Sequence, residues 1–222
     1  MSIADWDASA GLVVPERLEG RVCYGGLDLS STQDITAFEL VFPNDDGTYE
    51  VLSHFWTPGE TLAERERRDQ APYQHWVDQG VMTATPGAVI DTRQVARDII
   101  RMGERFDIRE IAYDRWGASE TRLNLEDAGL AVVDMGQGYA SMSAPTKGLL
   151  DLVVSRKLRH GGHPVLRWMA DNLVVRTDPS GNMKPDKEKS RQKIDGMSAL
   201  IMALDRAMRN GRPVGWAYFE QI

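Results

Sequence analysis

The sequence predicts an α/β fold: a central mixed sheet of five or more strands, three of them an antiparallel meander, with helices on both faces. Three observations predict it. Apolar, partly alternating runs come first in the chain, joined by short turn-forming links. From residue 93 onward, helical periodicity alternates with short apolar runs, a pattern that brings parallel strands together. The length, 222 residues, suits one large domain.

Residues 1–20 read as a loose lead-in, with Asp5, Asp7, Glu16, Glu19 and an early Pro15. Residues 21–30 (RVCYGGLDLS) begin as an apolar run and read as the first strand. Residues 35–43 (ITAFELVFP) alternate and read as the second. Asn44-Asp45-Asp46-Gly47 is a hairpin turn signal, with glycine available for positive φ. Residues 48–57 (TYEVLSHFWT) then read as the third strand. Pro58 and Gly59 punctuate the chain. A polar helix is predicted over 60–70 and a short amphipathic one over 73–79, ending at Gly80. Thr85-Pro86-Gly87 reads as a turn. Asp91 is placed to cap a helix over 92–106, with Val95, Ile99, Met102 and Phe106 on one face. Residues 108–113 (IREIAY) read as the fourth strand. A helix then runs to about Ala128, Gly129 stops it, and 130–135 (LAVVDM) reads as the fifth strand. An amphipathic helix follows over 143–158, then a segment over 163–175 that starts helical. Residues 178–190 (DPSGNMKPDKEKS) are polar, with two prolines, and read as a loop. The last helix is predicted over 191–209, with Ile194, Met197, Leu200, Ile201, Leu204 and Met208 on its apolar face. Residues 211–222 read as a C-terminal tail, which leaves 21–210 as the domain.

Composition narrows the function classes. One cysteine, Cys23, excludes an internal disulfide framework and a cysteine-rich zinc site. No run of about 18 apolar residues is present, so no membrane span is expected. The N-terminus has no basic n-region and is not expected to be a signal peptide, so a reducing, cytosolic location is the default. The formal charge is -7, which at first argues against a polyanionic partner. It is unevenly spread. Residues 1–150 hold 13 basic and 25 acidic side chains; residues 151–222 hold 13 and 8. A basic part can still meet a polyanion, and an acidic part can hold cations.

Three aspartates stand where chemistry is often staged. Asp28 lies in a strand that begins apolar and turns polar. Asp114 ends the fourth strand. Asp195 lies near the start of the last helix. A carboxylate buried in an apolar strand costs desolvation energy unless a cation or donor compensates it. Converging carboxylates repel one another, and a divalent ion relieves that; oxygen ligands favour Mg²⁺ or Mn²⁺ over zinc. Taken singly, each residue has a structural role open to it: Asp28 in a turn, Asp114 as a helix cap, Asp195 in a first helical turn where the dipole favours it. The chemical reading rests on the three together, in that order along the chain.

The order of elements resembles the RNase H-like (retroviral-integrase-like) fold, and more closely the C-terminal nuclease domain of the large terminase subunit of tailed bacteriophages. The stretches that carry the resemblance are GGLDLSSTQDITAF (25–38), IAYDRWGA (111–118), RHGGHPVLRWMADNLVV (159–175) and NMKPDKEKSRQKIDGMSALIMAL (182–204). It implies that Asp28, Asp114 and Asp195 hold two Mg²⁺ or Mn²⁺ ions. It implies an endodeoxyribonuclease that cuts concatemeric double-stranded DNA into packaging lengths by two-metal hydrolysis. It implies an N-terminal packaging ATPase, a portal and a small terminase subunit as partners of the full protein, and the host cell cytoplasm as the location. This chain shows no GxxxxGK[ST] motif, and Thr146-Lys147-Gly148 is not one. It therefore reads as an isolated nuclease domain, expected to be monomeric.

Further residues are candidates for DNA contact. Lys184, Lys187, Lys189, Arg191 and Lys193 form the densest basic run, interrupted only by Asp186 and Glu188. The run lies just before Asp195, placed to meet phosphate. Arg115 follows Asp114 and is a further phosphate candidate; Trp116 reads as core. Asp34 reads as a turn residue with an accessory metal role open to it. His160 and His163 flank Gly161-Gly162, show no third zinc ligand, and read as a loop near the DNA channel. Two rivals stay open: an RNase H-like resolvase or transposase nuclease, and a non-catalytic module that docks a motor to a portal.

Overall fold

The structure is a computed structural model and describes residues 1–30, 35–114 and 119–210. Helix α1 (Ile3–Ala8) and a 3-10 turn (Pro15–Leu18) precede strand β1 (Val22–Asp28). The meander continues with β2 (Thr36–Pro43) and β3 (Tyr49–Pro58). Then come α2 (Leu62–Asp69), α3 (Tyr73–Asp78), β4 (Thr83–Thr85), α4 (Thr92–Arg105), β5 (Asp107–Tyr113), α5 (Ser119–Asp127) and β6 (Val132–Asp134). The chain closes with α6 (Tyr139–Val154), β7 (Leu158–Arg159), α7 (Pro164–Asn172), β8 (Val175–Thr177), β9 (Met183–Pro185) and α8 (Asp195–Asn210).

Among the described residues, seven strands form one mixed sheet in the order β4-β3-β2-β1-β5-β6, with β7 also pairing with β3. The three predicted meander strands pair antiparallel. Asn44 and Thr48 close their hairpin, and Gly47 turns it at φ +76°. Strands β5 and β6 add in parallel beyond β1, as the helix–strand alternation predicts. The capping carboxylate of Asp91 accepts from the backbone N–H groups of Arg93 and Gln94, so α4 starts where the sequence places it. Its Val95 and Ile99 pack with Leu27, Phe38 and Ile111 on one face of the sheet. On the other face, α6, α7 and α8 cover Val41, Phe55 and Ala112. Helices therefore lie on both faces.

Several expectations change. Residues 1–20 are not loose: Trp6 and Leu18 are fully buried, Asp7 forms a two-pronged ion pair with Arg167, and the Ser9 hydroxyl donates to the Leu158 carbonyl. Residues 178–190 are not all loop, because Met183–Pro185 is β9, paired antiparallel with β8. The short strands β4 and β7 each span too few residues to show a periodicity. Helix α6 begins at Tyr139, ahead of the expected start, and carries Pro145 inside it. Helix α8 begins at Asp195 rather than at residue 191, and every residue from Asp195 to Asp205 is buried, not one face alone.

Glu39 is fully buried in β2, in register between Gly26 and Ser53. The Ser53 hydroxyl donates to its Oε2 at 2.6 Å. Burial pushes its carboxyl well above the ordinary glutamate range, and the serine bond only partly opposes that. A raised folded value means that the contribution to stability is complete below the unfolded glutamate value and is lost as pH rises through the folded one. Glu39→Gln is therefore expected to flatten the fall in melting temperature between pH 5 and pH 9. Parallel pH slopes for the two proteins would show that Glu39 does not titrate on unfolding.

Candidate metal centre at the strand ends

The site forms at the C-terminal ends of β1 and β5. Their parallel register ends on Leu27 opposite Tyr113, so Asp28 and Asp114 follow at the same height on neighbouring chains, roughly 5 Å apart in backbone spacing. Asp28 is 7% exposed and Asp114 half-buried. Just past β1, the Ser30 N–H donates to the Thr36 hydroxyl at 3.1 Å.

Helix α8 brings the third carboxylate. Its first residue, Asp195, is also 7% exposed. The helix lies directly on β1 because β1 has no side chain at Gly26. A Cβ there would stand 2.0 Å from the Ala199 carbonyl oxygen and 2.7 Å from the Ala203 nitrogen. Ala199 is one turn beyond Asp195, so the close approach sets the start of α8 beside Asp28.

Lys187 joins the two. Its Nζ donates to Asp28 Oδ2 at 2.6 Å and to Asp195 Oδ1 at 3.2 Å. Burial by itself would lower the pKa of this ammonium. Asp28 and Asp195 outweigh that and hold it well above the ordinary lysine range. The basic run thus places one lysine among the carboxylates.

Asp186 holds Lys187 there. It is buried, and its N–H donates to the Val174 carbonyl. Its Oδ1 accepts from the N–H groups of Glu188 and Lys189, and the Ser190 hydroxyl donates to its carbonyl at 2.7 Å. This turn-forming aspartate counts in the sequence only as a negative charge diluting a basic run. The signal that marks it is Asp followed two and three residues later by chain free to donate to it.

The other basic candidates spread out. Lys184, on β9, lies over the Tyr139 ring and donates to the Gln137 carbonyl at 3.4 Å. Lys189 and Arg191 are exposed, and Lys193 is half-buried near Asp69. Asp34, Arg115 and Trp116 lie outside the described residues. His160 stacks on Trp6 at 4.0 Å and bonds its carbonyl, so it secures the N-terminal segment. Burial pulls His163 down to about 4 despite its bond to the Val81 backbone, which leaves it neutral. Both histidines line a groove of about 910 Å³, which also holds His54, Asp98 and Arg101 but none of the three aspartates.

The donor set suits a hard divalent ion. All three side chains offer oxygen, two are nearly dry, and a cation already stands between those two. Among the described residues, no group of three His, Cys, Asp or Glu side chains is already close enough together to hold a metal ion. Asp28 and Asp195 have converged on Lys187, with Asp114 beside them on the next strand.

Comparison with known proteins decides the family. The family model described as the terminase large subunit, endonuclease domain, matches residues 1–211. The chain belongs to this family. It is 41% identical over 189 residues to the terminase large subunit of Enterobacteria phage HK97, covering 84% of this chain and 38% of that protein. It is 34% identical over 203 residues to protein YmfN of Escherichia coli K12, covering 87% and 45%. This terminase endonuclease domain thus spans less than half of either relative. The crystal structure of the HK97 large terminase superposes with a TM-score of 0.86 at 38% identity, over 93% of this chain and 43% of that one. The large terminase nuclease of thermophilic phage G20c, with bound magnesium, superposes at 0.58 and 14% identity over 92% and 96%. The fold is RNase H-like, as the resemblance implies. No helix among the described residues is long and apolar enough to cross a membrane.

Proposed function

We propose that this terminase endonuclease domain cuts concatemeric double-stranded DNA as part of a larger packaging protein, with Asp28, Asp114 and Asp195 holding two Mg²⁺ or Mn²⁺ ions. One observation carries the reading: two buried carboxylates from β1 and α8 converge on a single cation at the strand ends, beside Asp114. The structurally similar nuclease of phage G20c has been crystallised with magnesium, cobalt or zinc bound and that of phage SPP1 with manganese, which supports a divalent ion. Asp28 and Asp195, which already share Lys187, and Asp114 on the neighbouring strand would be the residues that hold the ions. When bound, the ions would supply an activated water for attack on phosphorus and positive charge for the departing 3′ oxygen.

The chain's own residues orient the substrate. Lys189 and Arg191 project from the stretch that carries Lys187, and they meet phosphate rather than base edges, so cutting is largely independent of sequence. Burial of Asp28 and Asp195 keeps bulk water from competing with the ligands. An ATPase segment, a portal and a small terminase subunit are the proposed partners of the whole protein, in the host cytoplasm.

The test is incubation with supercoiled plasmid. Mn²⁺ or Mg²⁺ is expected to produce nicked and linear forms, and EDTA to stop it. Cutting that persists in EDTA would overturn the metal-dependent reading. Binding of DNA is expected to weaken steeply with salt, because lysine and arginine contacts to phosphate release counterions that added salt restores.

A further inference from the structure

We propose that Lys187 is the resident counter-cation of the carboxylate site, and that a divalent ion binds there by displacing it. This rests on the endonuclease reading for the identity of the ion. The Lys187 ammonium lies 2.6 Å from Asp28 and 3.2 Å from Asp195, within the reach of both carboxylates that the ion needs. An ammonium and a divalent ion at one such point repel strongly in a nearly dry site, so the two occupancies exclude each other. A divalent ion brings two positive charges to the two carboxylates where the ammonium brings one, and that difference favours exchange.

The geometry also lets the lysine leave. Its side chain is 42% exposed, while those of Asp28 and Asp195 are 10% exposed. The backbone that carries it is fixed by Asp186 and Ser190, so only the flexible stem has to swing. Lys187 therefore compensates the carboxylates before the ion arrives and returns to the adjoining phosphate-facing stretch afterwards. By linkage, a polyanion that holds the released ammonium tightens ion binding, and the ion tightens polyanion binding by the same factor.

Two measurements test this. In calorimetric titration with Mn²⁺, Lys187→Met is expected to bind on the order of tenfold more tightly than the parent, and Lys187→Arg like the parent. The metal-free Met variant should melt below the parent and gain more from Mn²⁺. Equal or weaker Mn²⁺ binding by Lys187→Met overturns the displacement. Binding by neither protein overturns both the displacement and the metal reading of the site. The second measurement needs no variant. Brief acetylation of the parent with acetic anhydride, read by peptide mass spectrometry, should label Lys187 faster with Mg²⁺ than without, relative to Lys157. Labelling that Mg²⁺ leaves unchanged, or slows, overturns the proposal even if Lys187→Met does not fold.

Discussion

Asp28→Asn is expected to lower Mn²⁺-dependent plasmid cleavage by more than about 100-fold, because loss of an outer-shell partner of a metal ligand already costs 10–100-fold and Asp28 is proposed as a ligand itself. The substitution keeps the shape of the side chain and removes one negative charge. Lys187 would then answer mainly to Asp195, with the Asp28 bond reduced to a neutral amide contact. The folded state should survive, since Asp28 lies at the end of β1 and its backbone pairing with Ala37 is untouched. Asp195→Asn should behave alike. Asp114→Asn tests the member whose position follows from strand register alone. Cleavage rates of the three variants, with circular dichroism to show intact folds, are the measurement. Rates within about threefold of the parent for all three would exclude a three-aspartate metal site.

The same residues show what the sequence could and could not carry. Asp28 is legible because an apolar strand rarely ends on a carboxylate without a reason, and Asp114 repeats that sign one parallel strand away. The meander is legible because β2 and β3 are long and joined by Asn-Asp-Asp-Gly. Lys187 is different. A lysine in a run of charges looks solvated, and only the tertiary meeting of β1, α8 and the stretch after β9 turns it inward. The N-terminal segment also hides its role. Trp6 sits among acidic and small residues, and its partner His160 lies 154 positions away. A signal was present in Ile3 and Trp6 at helical spacing behind Ser2, whose hydroxyl accepts from the Ala4 N–H as a cap. The all-round burial of α8 was hidden in another way. Its small residues, Gly196, Ser198, Ala199 and Ala203, carry little hydrophobic signal, yet they are what lets the helix lie against the sheet.

Gly26→Ala is expected to be the most damaging single change for stability. Overpacking a core costs about 1–3 kcal/mol when side chains can shift. Here the obstructing atoms are the Ala199 carbonyl oxygen at 2.0 Å and the Ala203 nitrogen at 2.7 Å, both backbone, so a rotamer change gives no relief. Helix α8 would have to lift from β1 as a unit. A loss at or above about 3 kcal/mol corresponds to roughly 6–12 °C in melting temperature for a domain of this size. Gly138→Ala is the matched control, because a Cβ there meets nothing within 4 Å, and it should cost no more than about 1 kcal/mol at a helix cap. The loss of function should exceed the loss of stability. Asp195 begins the helix that moves and Asp28 ends the strand that stays, so even the folded fraction of Gly26→Ala holds its two buried carboxylates at the wrong separation. Mn²⁺ affinity per folded molecule, measured at a temperature where the variant is native, should therefore fall as well. A variant that melts within about 2 °C of the parent and binds Mn²⁺ equally would show that the contact between α8 and β1 does not set the site. The larger drop in affinity would instead show that a missing side chain on β1 positions a carboxylate on α8.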